Sequence, residues 1–283
     1  MENKSIITSA SDKFFPSLLN LIGSIKDKNP DHPTICVYDL GLNYFFKKEL
    51  ENIDKVKVLN IPKFVPHWRA CYTWKTYILN NPLSKLNLYI DAGCQVLKSL
   101  DELFNKIDTN NYLAVSQGSS VKIKDITPIE YFDIFNIEKN IGDEEVITAG
   151  IFGFKKDTNT STVTDELYKS GINKYCLGYS PSEIWKNKGV NKTEFIRDCQ
   201  MFRHDTTMIS LLLRKYIDNI IVEPVELFSD KEHTSPNQYI WNMRMNYSKL
   251  KYIYKKYNIY SYINNIYIYV FIKLKTIVNK KNV

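Results

Sequence analysis

The 283-residue sequence predicts an α/β fold, a mainly parallel sheet with helices on both faces. Three observations carry the prediction. Short apolar runs of strand type alternate with segments whose apolar residues recur at helical spacing. Asp12, Asp39 and Asp91 each stand at or just past the carboxyl end of such a run, where open α/β sheets bind their ligands. The chain is 44% hydrophobic with 10 Gly and 10 Pro, a composition that excludes disordered and collagen-like classes.

Ile6 to Ala10 reads as the first strand, and Phe15, Leu18, Leu19, Ile22 and Ile25 as the buried stripe of the helix after it. Thr34 to Asp39 is a second strand, Tyr44 to Ile53 a helix, and Val56 to Ile61 a third strand stopped by Pro62. A helix over about Ala70 to Leu79 leads to a fourth strand, Leu86 to Asp91. Ser99 followed by Glu102 predicts a capping box on a short helix running to Ile107. Strands are expected at Tyr112 to Ser116 and Val146 to Phe154, with a helix near Ile129 to Phe135 between them. Gly, Pro and Asn accumulate over Lys174 to Lys192, as in a surface loop; Thr193 to Tyr216 then reads as a helix broken near Arg203, and Ile220 to Val222 as the last strand.

The five cysteines are odd in number, widely spaced and include no C-x-x-C pair, so they read as reduced, mostly buried thiols. The first residues form no apolar run of signal-peptide type, and a cytoplasmic location is expected. Charge is uneven along the chain. No acidic residue follows Glu232, whereas nine of the 38 basic residues lie beyond it. A boundary is therefore expected between a catalytic domain, 1–238, and a basic, Tyr-rich helical tail, 239–283. From Tyr239 onward lie nine of the 20 tyrosines, and Tyr257 to Ile272 is uncharged between lysine pairs. That stretch is too short and too rich in Asn and Tyr for a spanning helix. It suits a helix lying on an anionic membrane surface, each Lys there contributing on the order of 1 kcal/mol; a helical cover over the sheet is the plainer alternative. With five arginines in the chain and no nucleic-acid motif, a nucleic-acid partner is not expected.

Four segments carry a resemblance to a known family. They are Tyr72 to Leu79 with its Lys75; Leu88 to Phe104, which contains Asp91-Ala92-Gly93 and Ser99-Leu100-Asp101-Glu102-Leu103; Ile147 to Phe154 with Thr148-Ala149-Gly150; and Arg203-His204-Asp205 ahead of an apolar helix. In this order they resemble the donor-binding core of GT-A-fold glycosyltransferases, especially family 8-like enzymes, over about residues 5 to 228. The resemblance implies a Rossmann-like GT-A domain. It also implies transfer of a sugar from a nucleotide donor, UDP-sugars favoured, to a glycan or lipid-linked acceptor in surface polysaccharide or glycoconjugate synthesis.

The resemblance further implies a site. Ser9, Ala10 and Asp12 would line the nucleoside floor, with a helix cap as the second reading of Asp12. Lys75 would reach the phosphates, Arg203 and Arg69 being further cations, although Trp68, Tyr72, Lys75 and Leu79 also suit a plain amphipathic face with a snorkelling lysine. Asp91, Ala92 and Gly93 stand where the family has D-x-D, with Asp91 on the ribose or on a Mn²⁺ or Mg²⁺ ion. Gly93 removes the second carboxylate, which puts the metal in question; His233 is a candidate further ligand. Thr148, Ala149, Gly150 and His204 would meet sugar or acceptor. Asp205 would bind the sugar or act as general base, a simple helix cap being its alternative, and Thr206 replaces the family's glutamine. A non-catalytic GT-A-derived adaptor is the rival reading. A nucleotidyltransferase would open with a Gly-rich basic loop, which Ser9 to Lys13 does not offer.

Overall fold

In the computed structural model, the residues described are 3–118, 120–156, 158–177, 199 and 202–243. Their strands are β1 (Lys4–Ala10), β2 (Ile35–Asp39), β3 (Val56–Asn60), β4 (Leu86–Ile90), β5 (Cys94–Val96), β6 (Tyr112–Val115), β7 (Ile151–Lys155), β8 (Val222–Glu223), β9 (Phe228–Ser229) and β10 (Ile240–Asn242). The helices are α1 (Phe15–Lys28), α2 (Tyr44–Glu51), α3 (Thr73–Asn80), α4 (Asp101–Asn110), α5 (Ile123–Ile126), α6 (Ile129–Ile134), α7 (Asn159–Ile172) and α8 (Asp205–Tyr216).

Seven strands form one sheet in the order β3-β2-β1-β4-β7-β6-β8. All pairings are parallel except those of β7, which runs antiparallel to both β4 and β6. The chain moves outward from β1 through β2 to β3 and then returns to the other side of β1 with β4. The carboxyl ends of β1 and β4 therefore flank a topological switch point, the usual crevice for a ligand in such sheets.

Alternation along the strands sends side chains to two cores. Ile6, Ile35, Val37, Leu88, Ile90 and Ile151 face α1, α2 and α4, where Phe15 and Phe46 stack with centroids 3.9 Å apart. Ile7, Tyr38, Tyr89, Tyr112, Phe152 and Phe154 face α3 and the helices from α5 to α8. Helices thus cover both faces, as predicted.

Local departures from expectation have local causes. The helix expected from Ala70 starts at Thr73, because Cys71 and Tyr72 hold positive φ of 49° and 60°. Trp68 and Tyr72 therefore do not share a helical face with Lys75. The capping box at α4 does not form: the Ser99 hydroxyl bonds Asp101, and the Glu102 carboxylate accepts the Tyr239 hydroxyl. Only Ile151 onward pairs as β7, since residues 146–150 bend across the carboxyl ends of β6 and β4. There the Thr148 N–H bonds the Val115 carbonyl, and the Gly150 carbonyl accepts the Asp91 N–H, both at 2.9 Å.

A second sheet, β5-β10-β9, follows directly after β4. In it β10 pairs antiparallel with β5 and places Trp241, buried, opposite Gln95. The folded body thus runs past the boundary expected at residue 238. Most of the loop expected over 174–192, the first part of the helix expected from 193, and the tail from residue 244 lie outside the described residues. No helix among the described residues is long and apolar enough to cross a membrane.

Candidate functional site

At the carboxyl ends of β1 and β4 stands a buried ammonium. Lys75, on the first turn of α3, has a side chain only 3% exposed, so it does not snorkel. Its Nζ lies 2.6 Å from Asp205 Oδ2, 3.2 Å from Asp91 Oδ1 and 3.0 Å from the Ala149 carbonyl. A lysine has three N–H donors, and here each has an acceptor. The rings of Tyr89 and Tyr72 lie 4.9 and 5.6 Å from the same nitrogen, adding cation–π attraction. Burial alone works against the ammonium; Asp205 and then Asp91 overcome it and hold the Lys75 pKa well above its ordinary value.

Asp91 closes β4. Its Oδ1 accepts the Tyr89 hydroxyl at 2.8 Å as well as Lys75, and that hydroxyl lies 3.1 Å from Ser9 Oγ at the end of β1. Burial, chiefly, keeps the Tyr89 phenol above its usual pKa, so it stays a donor. Desolvation likewise raises the Asp91 carboxyl, Lys75 opposes this, and Asp205 adds to the rise. The Asp91 side chain is nevertheless 42% exposed, and water on its outer edge tempers the shift. Its Oδ2 would lie 3.5 Å from a Cβ on residue 150. Such a Cβ would also meet Phe228 Cζ at 2.6 Å, so glycine is required for this approach of β9.

Asp205 opens α8. It is the first helical residue rather than its cap, and its carboxylate turns to Lys75 instead of the helix N–H groups. The residue before it, His204, holds φ 52° and ψ −115°, a strained pair for a side chain with a Cβ, costing about 1–3 kcal/mol. Three contacts hold it there: Nδ1 lies 2.9 Å from the Cys176 carbonyl, the ring sits edge-on to Phe202, and Tyr72 lies at 5.8 Å. His204 is buried and aims Asp205 at Lys75. Beside it, the Arg203 Nε is buried and finds no partner among the described residues.

The remaining predicted residues fall around this centre. Ser9 and Ala10 end β1, and Thr148 bonds the Gly150 N–H at 3.2 Å. Asp12 begins a short 3₁₀ turn and caps nothing on its own helix; its Oδ1 accepts the Asn43 N–H at 2.7 Å and ties β1 to the start of α2. Asp39 folds the turn after β2 by accepting the N–H groups of Gly41 and Leu42. Gly41, at φ 117°, has the Arg69 guanidinium packed over it. Ala92 and Gly93 are buried in the turn that leads into β5.

His233 does not join the site in the manner expected of a ligand. It stands in an exposed turn, 74% of its side chain in solvent, with Glu232 at 3.5 Å. No group of three or more His, Cys, Asp or Glu side chains suited to an ion is found among the described residues. Asp91 has one oxygen already engaged by Tyr89 and Lys75, and position 93 offers no carboxylate. Among the described residues, no third side chain joins Asp91 and Asp205 to complete a donor set for an octahedral divalent ion.

Two members of the site were not singled out in the sequence, Tyr89 and Phe228. Tyr89 carried a signal: a tyrosine in a fully buried strand must find a partner for its hydroxyl. Phe228 carried none, since its role depends on where a two-residue strand lands.

No known family profile matches the chain, and no curated protein matches it significantly. Solved structures do. The galactosyltransferase LgtC, in complex with donor and acceptor sugar analogs, is similar over 87% of this chain and 93% of that one, with 13% identity and a TM-score of 0.50. The bifunctional glycosyltransferase WbbM is similar over 80% of this chain and 39% of that one, with 14% identity and a TM-score of 0.50. The chain therefore has a GT-A-like α/β fold, and its structural neighbours include glycosyltransferases.

Proposed function

We propose that the protein is a glycosyltransferase that moves a sugar from a nucleotide-sugar donor, UDP-sugars favoured, to a glycan or lipid-linked acceptor. The observation that carries this reading is the Asp91–Lys75–Asp205 cluster at the switch point of a GT-A-like sheet. Ser9, Ala10 and Asp12 receive the nucleoside at the end of β1. Asp91 takes the ribose or the donor sugar through its open oxygen. Asp205, its Oδ2 committed to Lys75, offers Oδ1 to a sugar hydroxyl, with Thr148, Ala149, Gly150 and His204 shaping that side. Charge growing on the leaving diphosphate calls for fixed donors, and Arg203 and Arg69 are the cations proposed to supply them.

Release of nucleoside diphosphate from a panel of UDP-sugars tests the reading. Asp91→Asn, folded by circular dichroism, should lose about a hundredfold or more of the wild-type rate. Near-normal turnover would remove Asp91 from the site. The missing second carboxylate favours the rival adaptor, which would release nothing in either form.

The basic, Tyr-rich segment beyond β10, from residue 244, is proposed to hold the protein on the inner, anionic membrane face. Full-length protein should sediment with phosphatidylserine vesicles at physiological salt. Remaining in the supernatant would end that proposal.

A further inference from the structure

We infer that this site works without a divalent cation, Lys75 holding the two carboxylates in register. The inference rests on the donor reading above for UDP, but its core concerns the protein alone. Two carboxylates facing one site would normally be bridged by a metal or would share a proton. Here the Lys75 ammonium lies between them, 2.6 Å from Asp205 and 3.2 Å from Asp91. The Ala149 carbonyl takes its third N–H, so the cation is fixed on three sides by protein.

An ion approaching Asp91 would meet three obstacles. The nearer oxygen is spent on Tyr89 and Lys75. The ammonium repels a second cation at close range. Among the described residues no further ligand joins Asp91 and Asp205: position 93 is a buried glycine, and His233 is an exposed side chain beside Glu232. The Arg203 Nε, on the residue two before Asp205, is buried and has no hydrogen-bond partner among the described residues.

Mn²⁺ titration followed by electron paramagnetic resonance tests the core claim directly. With wild-type protein alone, the signal of free Mn²⁺ should stay unattenuated up to about millimolar protein. Lys75→Ser leaves Asp91 and Asp205 facing each other without a cation and should gain Mn²⁺ affinity by about tenfold or more. A stoichiometric site on the wild type, or no gain in a folded Lys75→Ser, would overturn the inference. Should Lys75→Ser fail to fold, the wild-type titration still decides. Calorimetry of UDP with wild type completes the test, with dissociation constants in EDTA and in Mn²⁺ expected to agree within about twofold. A tenfold loss in EDTA would also overturn it. If UDP binds in neither buffer, the donor reading is at fault, and the Mn²⁺ titration still rules on the metal.

Discussion

At the scale of the residue, the site is an exercise in charge compensation. Lys75 would be expensive to bury alone, and so would Asp205; together with Asp91 they leave one net negative charge that opens to solvent only through Asp91. Breaking such an arrangement from one side costs more than the arrangement is worth, because the remaining charge stays buried. Lys75→Met should therefore destabilise the fold by about 3–5 kcal/mol. The pH dependence has a definite sign. The Lys75 pKa is raised on folding, so its contribution is complete below the unfolded value of about 10.4 and declines as pH rises beyond it. The gap in melting temperature between wild type and Lys75→Met should be constant from pH 7 to 10 and narrow above that. A gap unchanged at higher pH would mean that Lys75 stabilises by packing alone. Part of this was readable in the sequence: resemblance pointed to Lys75, Asp91 and Asp205, which the fold does bring together. The phosphate role expected for Lys75 is not supported by a nitrogen whose three donors are already spent.

At the scale of the element, the alternation of apolar residues explains why so much of the sheet was readable. Ile6 against Ile7, and Leu88 and Ile90 against Tyr89, separate two cores with a period of two that any correct register must respect. What escaped was short or unadvertised. Strands β5, β9 and β10 span two or three residues each, too few to show a period, and their existence depends on a partner distant in sequence. The late start of α3 follows from left-handed conformations at Cys71 and Tyr72, residues that do not announce them as glycine would. The small sheet nevertheless presses Phe228 against Gly150, beside Asp91. Gly150→Ala should push β9 away, cost about 1–3 kcal/mol by overpacking and lower the melting temperature by several degrees. An unchanged melting temperature would show that β9 yields freely there.

At the scale of the whole molecule, the parts agree on one end of the sheet. The order β3-β2-β1-β4 places the switch point between β1 and β4, and the antiparallel β7 lets residues 148–150 cross the same opening from the other side. Helix α3 supplies Lys75, α8 supplies Asp205, and the second sheet closes the wall with Phe228. A fold shared with glycosyltransferases does not by itself transfer their chemistry; the site must hold a nucleotide. The measurement that tests this most directly is a melting-temperature panel of UDP, GDP, TDP and CMP and their sugars, each in EDTA. Ligand at a hundred times its dissociation constant adds about 2.7 kcal/mol, enough to raise the midpoint by several degrees in a domain of this size. Such a rise is expected with one nucleotide, UDP first, and its loss in Asp91→Asn. No rise with any nucleotide or nucleotide sugar would contradict the donor reading and leave a GT-A-like fold that does not bind donor.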